Sequence, residues 1–452
     1  GRIPRLDEVS LDGRVVVAAL AASAVTCLAC GLAPALRAAR LDPATALGEA
    51  GGGRASVSRG HRRVRDALVV FQIALSTVLL VSAGLMLRSF ARLSTIHAGF
   101  DATHVLAVNV SLPPSRYDEA SQALFFDRLA ERLRALPGVR AAGATVVDPF
   151  SGWNLMNDVT PEDRAATAPS SGYMQAGWRS VTPAFFAAMG IPLVRGRVFA
   201  STDGPDGLPV AVVSRRLARA LWPNEDAVGK RLYWGGTNGT PRTIVGVVGD
   251  IRDVAPERDA EPMLYVPHAQ AATPAMTVVV RTAGEPAAMA GAVRDVIRGL
   301  DPLLPVSSIH PLTQNRADAL AAPRFRVLLM SVFAALALLL AAAGISAVIA
   351  FNVARRRREI GIRLAMGAER SIVVAGFVRS AVALTALGLV AGLGGAWAAT
   401  RFMRGLLYGV APDDALTFVV VAALLGGVAL VASYIPARRV ARVSPTDALR
   451  AE

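Results

Sequence analysis

"VLLMSVFAALALLLAAAGISAVIAFNV" fills residues 327–353 without one charged side chain. At 1.5 Å of rise per residue, a run of about 20 apolar residues already crosses the roughly 30 Å of bilayer hydrocarbon. A helix buried in a soluble core has no need of such length free of charge. Four other stretches read the same way: 15–33, 67–87, 380–400 and 416–435. Composition agrees, with 53% hydrophobic and 18% charged residues and a mean hydropathy of +0.44 over 452 residues. That is too apolar for a soluble globule. The sequence predicts a multi-pass α-helical membrane protein with five transmembrane helices.

Arginine placement orients these spans. Arg37, Arg40, Arg54, Arg59, Arg62, Arg63 and Arg65 lie between the first two, and Arg355, Arg356, Arg357, Arg358, Arg363 and Arg370 follow the third. Loops rich in arginine stay in the cytoplasm, so the tail with Arg438, Arg439 and Arg442 belongs there too. Residues 88–326 and the 401–414 loop then lie outside. Arg355 to Arg358, Arg438 and Arg439 read as anchors at the membrane face, with Arg379 snorkelling at the edge of the fourth span. Pro436 is expected to break the last helix at that edge.

The net charge of +14 does not point to nucleic acid. Of the 48 basic residues Lys230 is the sole lysine, and the arginines gather beside apolar runs rather than among stacking aromatics. Cys27 and Cys30 spell C-x-x-C inside an apolar run, with no second pair or nearby histidine, so neither zinc nor redox chemistry is expected. No G-x-S-x-G, H-E-x-x-H or paired acidic helix exists, so no catalytic or metal residue is assigned and the chain is not read as an enzyme. "VGKR" at 228–231 is no Walker A loop, because Asn224 and Arg231 stand where Gly and Ser or Thr belong.

Residues 88–326 have the composition of a folded extracytoplasmic α/β domain. "HVLAVNVSL" (104–112) reads as a strand, "SQALFFDRLAERLRAL" (121–136) as an amphipathic helix stopped by Pro137-Gly138, and "VRAAGATVV" (139–147) as a strand. The order returns in "AMTVVVRTA" (275–283), "PAAMAGAVRDVIRGL" (286–300) and "PVSSIHPL" (305–312). Two such units predict one domain carrying a mostly β insert at about 148–270.

The cytoplasmic segment 354–379 carries the most functional information. Simple anchoring accounts for its four arginines but not for Glu359 and Arg363 at i,i+4, the apolar Ile360, Ile362, Leu364 and Met366, the turn at Gly367, and a second amphipathic stretch up to Arg379. Helix, turn and interfacial helix form a lever that fits a partner's groove, the reading favoured over anchoring. Gly388, Gly392 and Ala396 place a small residue at every fourth position of the fourth span, for packing within one unit in preference to a dimer seam.

"RRRREIGIRLAMGA" followed by "LTFVVVAALLGGVALVASYIPARRVARVSPTDALR" resembles the FtsX-like permease family of ABC systems, close to its MacB-like branch. "VTPAFFAAMGIPLVRGRVF" and "TIVGVVGDIRD" are similar to the periplasmic core domain of that branch. The resemblance implies a bacterial inner-membrane permease with no cofactor in this chain, ATP and Mg belonging to a separate cytoplasmic ATPase subunit. It implies docking of that ATPase by Glu359, Ile360, Gly361, Ile362, Arg363 and Gly367. It further implies movement of the outer domain to export or extract a hydrophobic compound, peptide or lipoprotein. Membrane lipid, a second permease unit in tandem or as a dimer, and a periplasmic adaptor or outer-membrane channel are the remaining implied partners. An unpowered or regulatory membrane scaffold, as in FtsX-like control of a periplasmic partner, stays as the alternative.

One repeat extends this reading. "PALRAARLDPATAL" (34–47) matches "PARRVARVSPTDAL" (436–449) at eight of fourteen positions. Residues 1–50 are therefore expected to be the last helix and tail of a preceding permease unit, 51–66 a cytoplasmic linker, and 67–452 one complete unit whose FtsX-like part is 327–452. The whole resembles the tandem, acidobacterial duplicated orphan permease (ADOP) type, truncated at its N-terminus.

Overall fold

The computed structural model describes residues 12–21, 23–24, 27–28, 55–152, 154–167, 173–252, 254–355, 366 and 369–440. Its labelled helices are α1 (Ala55–Thr95), α2 (Glu119–Arg134), α3 (Phe185–Met189), α4 (Arg215–Leu221), α5 (Ala290–Leu300), α6 (Leu312–Ala319), α7 (Ala321–Arg355), α8 (Arg370–Phe402) and α9 (Ala415–Val440). Its strands are β1 (Val105–Ser111), β2 (Val139–Thr145), β3 (Met156–Pro161), β4 (Met174–Val181), β5 (Leu193–Gly196), β6 (Val210–Ser214), β7 (Arg231–Trp234), β8 (Arg242–Val248), β9 (Met263–Pro267), β10 (Ala275–Thr282) and β11 (Val306–Pro311). Two compact units result: Leu93–Ala322, and a helical unit from Gly1–Arg92 with Pro323–Glu452.

In the unit Leu93–Ala322, β1 pairs antiparallel with β10 and β11, and β10 with β2, in the order β11-β1-β10-β2. The segments β1-α2-β2 and β10-α5-β11 thus interleave as a split βαβ sheet. β1 is apolar on both faces because both are covered. Leu106, Val108 and Val110 meet Phe126, Leu129 and Leu133 of α2 and Val293 and Ile297 of α5. Val105 and Ala107 meet Phe185, Phe186 and Met189 of α3. Asp118 caps α2, its carboxylate accepting from the Ser121 N–H at 2.9 Å, and Gly138 at φ +86° turns the chain into β2. α3 lies so close to β2 that a Cβ on Gly143 would stand 2.6 Å from Phe185 Cα.

The insert between β2 and β10 pairs in a circuit: β4 with β3, then β7, β8, β6, β9 and back to β4. The β6–β8 and β4–β9 links are parallel and the rest antiparallel, while β5 hangs on β8. Val159, Val213, Leu232, Ile244 and Leu264 fill one side with Leu217, Leu221 and Trp222 around α4. Val212, Met263 and Tyr265 fill the other, in one core with Phe185 and Phe186. Insert and split sheet therefore share a core.

In the helical unit, four helices among the described residues are long and apolar enough to cross a membrane: Arg63–Thr95, Ala321–Ala354, Val374–Phe402 and Ala415–Arg438. Of the expected first span at 15–33, residues 15–21, 23–24 and 27–28 are described and helical, and the rest lies outside the described residues. At 41 and 35 residues, α1 and α7 are about 60 and 50 Å long, well beyond the hydrocarbon thickness. One expectation is corrected here: Pro436 does not break the last helix, which continues through it to Val440. Proline removes the N–H that would bond the carbonyl four residues back, here Ala432. The Ser346 hydroxyl of α7 donates to that carbonyl at 3.0 Å, so the freed acceptor is satisfied and the helix persists.

Candidate functional site

The predicted coupling segment leaves α7 at Arg355 and enters α8 at Arg370, behind Glu369. Arg356, Arg357, Arg358, Glu359, Ile360, Gly361, Ile362, Arg363 and Gly367 lie outside the described residues. Met366 between them is 85% exposed, and Ile372 in the first turn of α8 is 66% exposed. The Ser371 hydroxyl donates to the Glu369 carboxylate at 2.9 Å, so this acid at the α8 N-terminus is held beside the positive end of the helix. Two large apolar side chains thus stand exposed beside the start of α8.

Behind that segment the bundle is firmly packed. Arg65 of α1 donates to Asn352 Oδ1 of α7 at 2.8 Å and stacks over Phe351 at 4.8 Å. Val69 and Ile73 of α1, Ile345, Ile349 and Val353 of α7, Ala381 of α8 and Ala429 and Ala432 of α9 form one buried cluster there. All four helices are clamped at the end from which the segment emerges. Arg379 is exposed within α8, and Arg438 is exposed and stacks over Tyr434 at 5.9 Å. Arg439 lies in α9, and its side chain is outside the described residues.

α1 is the hub. In its apolar window 44% of the residues are buried, against 17% for α8. A Cβ on Gly388 would stand 2.7 Å from the Ile73 side chain and 3.1 Å from Val70 O; one on Gly392 would stand 2.5 Å from Thr77 Cβ and 2.8 Å from Ala74 O. With the fully buried Ala396, the small stripe of α8 therefore lies along α1. On the α7 side, Ser76 Oγ donates to Ala337 O at 2.9 Å, and a Cβ on Gly344 would stand 2.6 Å from Gln72 Oε1. At the other end of α1, Arg88 pairs with Asp414 and Ser89 Oγ accepts from the Tyr408 N–H at 2.7 Å. Asp414 also caps α9, accepting from Thr417 N and Oγ1 at 3.1 and 2.6 Å. That hydroxyl and the Arg88 guanidinium hold the Asp414 carboxyl below its usual range.

Of these contacts only the small stripe was singled out from sequence. Gln72, Ser76 and Ser346 left a signal, being polar side chains in apolar runs, but nothing local named their partners.

Among the described residues no three His, Cys, Asp or Glu side chains come together to hold a metal ion. His268 is buried against Phe126 with ring centroids 5.2 Å apart, and burial pulls its pKa down to about 4, so it is a neutral core residue. Burial likewise raises the Asp148 carboxyl, although Asn315 Nδ2 donates to it at 2.9 Å. Lys230, in the sequence that mimics a phosphate loop, pairs with Glu225 and lies over Trp222.

Two family models match this architecture: the FtsX-like permease C-terminal model over residues 331–445 and the MacB-like periplasmic core domain model over 69–298. The chain belongs to the MacB-like, FtsX-type permease family. This permease is 26% identical over 367 residues to the macrolide export ATP-binding/permease protein MacB of Azoarcus sp. (strain BH72), covering 77% of this chain and 51% of that protein. It is 27% identical over 283 residues to the pyoverdine export ATP-binding/permease protein PvdT of Pseudomonas syringae pv. syringae (strain B728a), covering 59% and 42%. It thus spans about half the length of the curated relatives it matches. The crystal structure of the periplasmic region of MacB from Actinobacillus actinomycetemcomitans overlaps 49% of the permease and 95% of that chain, at 13% identity and a TM-score of 0.34.

Proposed function

We propose that this permease couples ATP hydrolysis by a separate cytoplasmic ABC ATPase to movement of its 93–322 domain, in the bacterial inner membrane, for export or extraction of a hydrophobic compound, peptide or lipoprotein. The observation that carries the reading is α7. One unbroken helix runs from Ala321, at the boundary of that domain, to Arg355, at the start of the coupling segment. A continuous helix transmits a shift that a loop would absorb.

In this reading Glu359, Ile360, Gly361, Ile362, Arg363 and Gly367 dock in the ATPase, Arg355 to Arg358 hold the lever at the membrane face, and ATP and Mg bind the ATPase alone. Residues 15–33 are a fifth span, closing a preceding unit of a tandem protein that supplies the second permease half. The 93–322 domain faces the periplasm, where an adaptor or outer-membrane channel would meet it.

The test is ATP turnover by candidate cellular ABC ATPases mixed with the full chain in liposomes. Stimulation of one ATPase several-fold, lost in Glu359→Arg, is the expected result. Absence of stimulation across all of them would leave the chain as an unpowered or regulatory scaffold.

A further inference from the structure

The end of the bundle that continues into the 93–322 unit carries more positive charge than its position explains. Arg88, Arg92, Arg324, Arg326, Arg401 and Arg404 flank the apolar runs there, against Asp413 and Asp414. The positive-inside tendency gathers arginine at the opposite face, where the coupling segment lies. Asp414 is already committed to Arg88 and to the α9 cap. Among the described residues the side chains of Arg324, Arg326 and Arg404 make no ion pair or hydrogen bond, and that of Arg401 does nothing but stack on Trp397, its guanidinium carbon 3.7 Å from the ring centroid.

We propose that Arg401 and Arg404, with Trp397 and Phe402, bind the phosphate of an anionic phospholipid headgroup in the leaflet on the side of the 93–322 unit. Arg401 is the first charged residue after the apolar run 380–400, which puts its guanidinium where hydrocarbon gives way to headgroups. Trp397, one helical turn earlier, is 50% exposed, and Phe402 is 91% exposed. Aromatic rings so placed mark the interface level. Stacking on Trp397 removes rotamer freedom from Arg401 before any ligand arrives and leaves the edge of its fork for two parallel N–H donations to phosphate oxygens. Arg404, one turn on in the 3-10 turn Arg404–Leu406, is exposed and supplies the second cation. Compensation of the negative end of α8 would account for one of these arginines. It does not account for both beside two exposed aromatics.

The experiment uses the full chain in neutral detergent, with bound lipid counted by native mass spectrometry. Phosphatidylglycerol, phosphatidylcholine and inorganic phosphate are the probes. The wild type should retain phosphatidylglycerol over phosphatidylcholine, and R404Q should lower that preference about fivefold, with R401Q/R404Q lowering it roughly twenty-fivefold, the effect of about 1 kcal/mol per arginine near a charged surface. Equal retention of the two lipids by the wild type would overturn the proposal, as would an unchanged preference in the variants. Competition by inorganic phosphate at the same concentration would also overturn it, by making the site one for free phosphate. Should the double variant not be recovered folded, R404Q alone decides, since its side chain touches nothing that folding needs.

Discussion

In the unit Leu93–Ala322, Leu129 and Leu133 are wholly buried between helix and sheet, whereas in the bundle the positions that fix helix spacing are Gly388 and Gly392. The first unit is assembled by removing large side chains from water, at roughly 1.5–3 kcal/mol for each one fully buried. Lipid tails are as apolar as leucine, so the bundle gains little that way. It relies on close approach and on hydroxyls aimed at carbonyls: Ser76 to Ala337, Ser346 to Ala432. Close approach is not confined to the bundle: in the unit Leu93–Ala322 a Cβ on Gly246 would stand 2.1 Å from Arg197 O, and at Gly143 β2 nearly touches the backbone of α3.

The largest expected effect tests the approach at Gly143. In Gly143→Leu the new Cβ meets Phe185 N and Cα at 2.6 Å, backbone atoms that cannot step aside. A loss of about 3 kcal/mol or more is expected, enough to unfold the unit. Intrinsic tryptophan fluorescence reads it, because Trp178, Trp222 and Trp234 lie in that unit and Trp397 in the bundle. Native-like melting of the Gly143→Leu chain would mean that α3 is not held against β2.

Next in size is a pH effect that separates the units. His268 has its folded pKa lowered from 6.5 to about 4, so between those values the unfolded chain binds more protons than the folded one. Stability is then fully present above pH 6.5 and declines as pH falls towards 4, by roughly 3 kcal/mol in all. His268→Gln should flatten that decline in the 93–322 unit and leave the Trp397 signal unchanged. A decline of equal steepness in the variant would assign it to other groups.

The sequence made some of this contrast legible and hid the rest for a physical reason. β1, α2, β2 and their later counterparts announce themselves because period and stop signals are local: Phe125, Phe126, Leu129 and Leu133 recur at helical spacing before Pro137-Gly138. The circuit β4-β3-β7-β8-β6-β9 was not legible, because pairing partners such as Trp178 and Leu264 are distant in sequence and no local pattern encodes a parallel link. In the bundle the small stripe of α8 was visible, but not that Ile73 and Thr77 of α1 meet it. Pro436 misled outright, since the hydroxyl that rescues its helix is 86 residues away from the carbonyl it serves.

That proline gives the smallest effect and the sharpest comparison. Ser346→Ala removes the donor to Ala432 O, a carbonyl that Pro436 has already deprived of its helical partner. In lipid no water replaces it, so a cost of about 0.5–1 kcal/mol is expected, within the range for such bonds in membranes. Pro436→Ala restores a backbone N–H to the same carbonyl. In that background Ser346→Ala should cost little, giving a coupling of about 0.5–1 kcal/mol in a double-mutant cycle read by denaturing-detergent titration. Additive losses would mean that Ser346 acts by packing, and that the bundle at this point is built like the water-exposed unit. A clear coupling would mean that one side chain of α7 decides whether α9 stays helical through its proline.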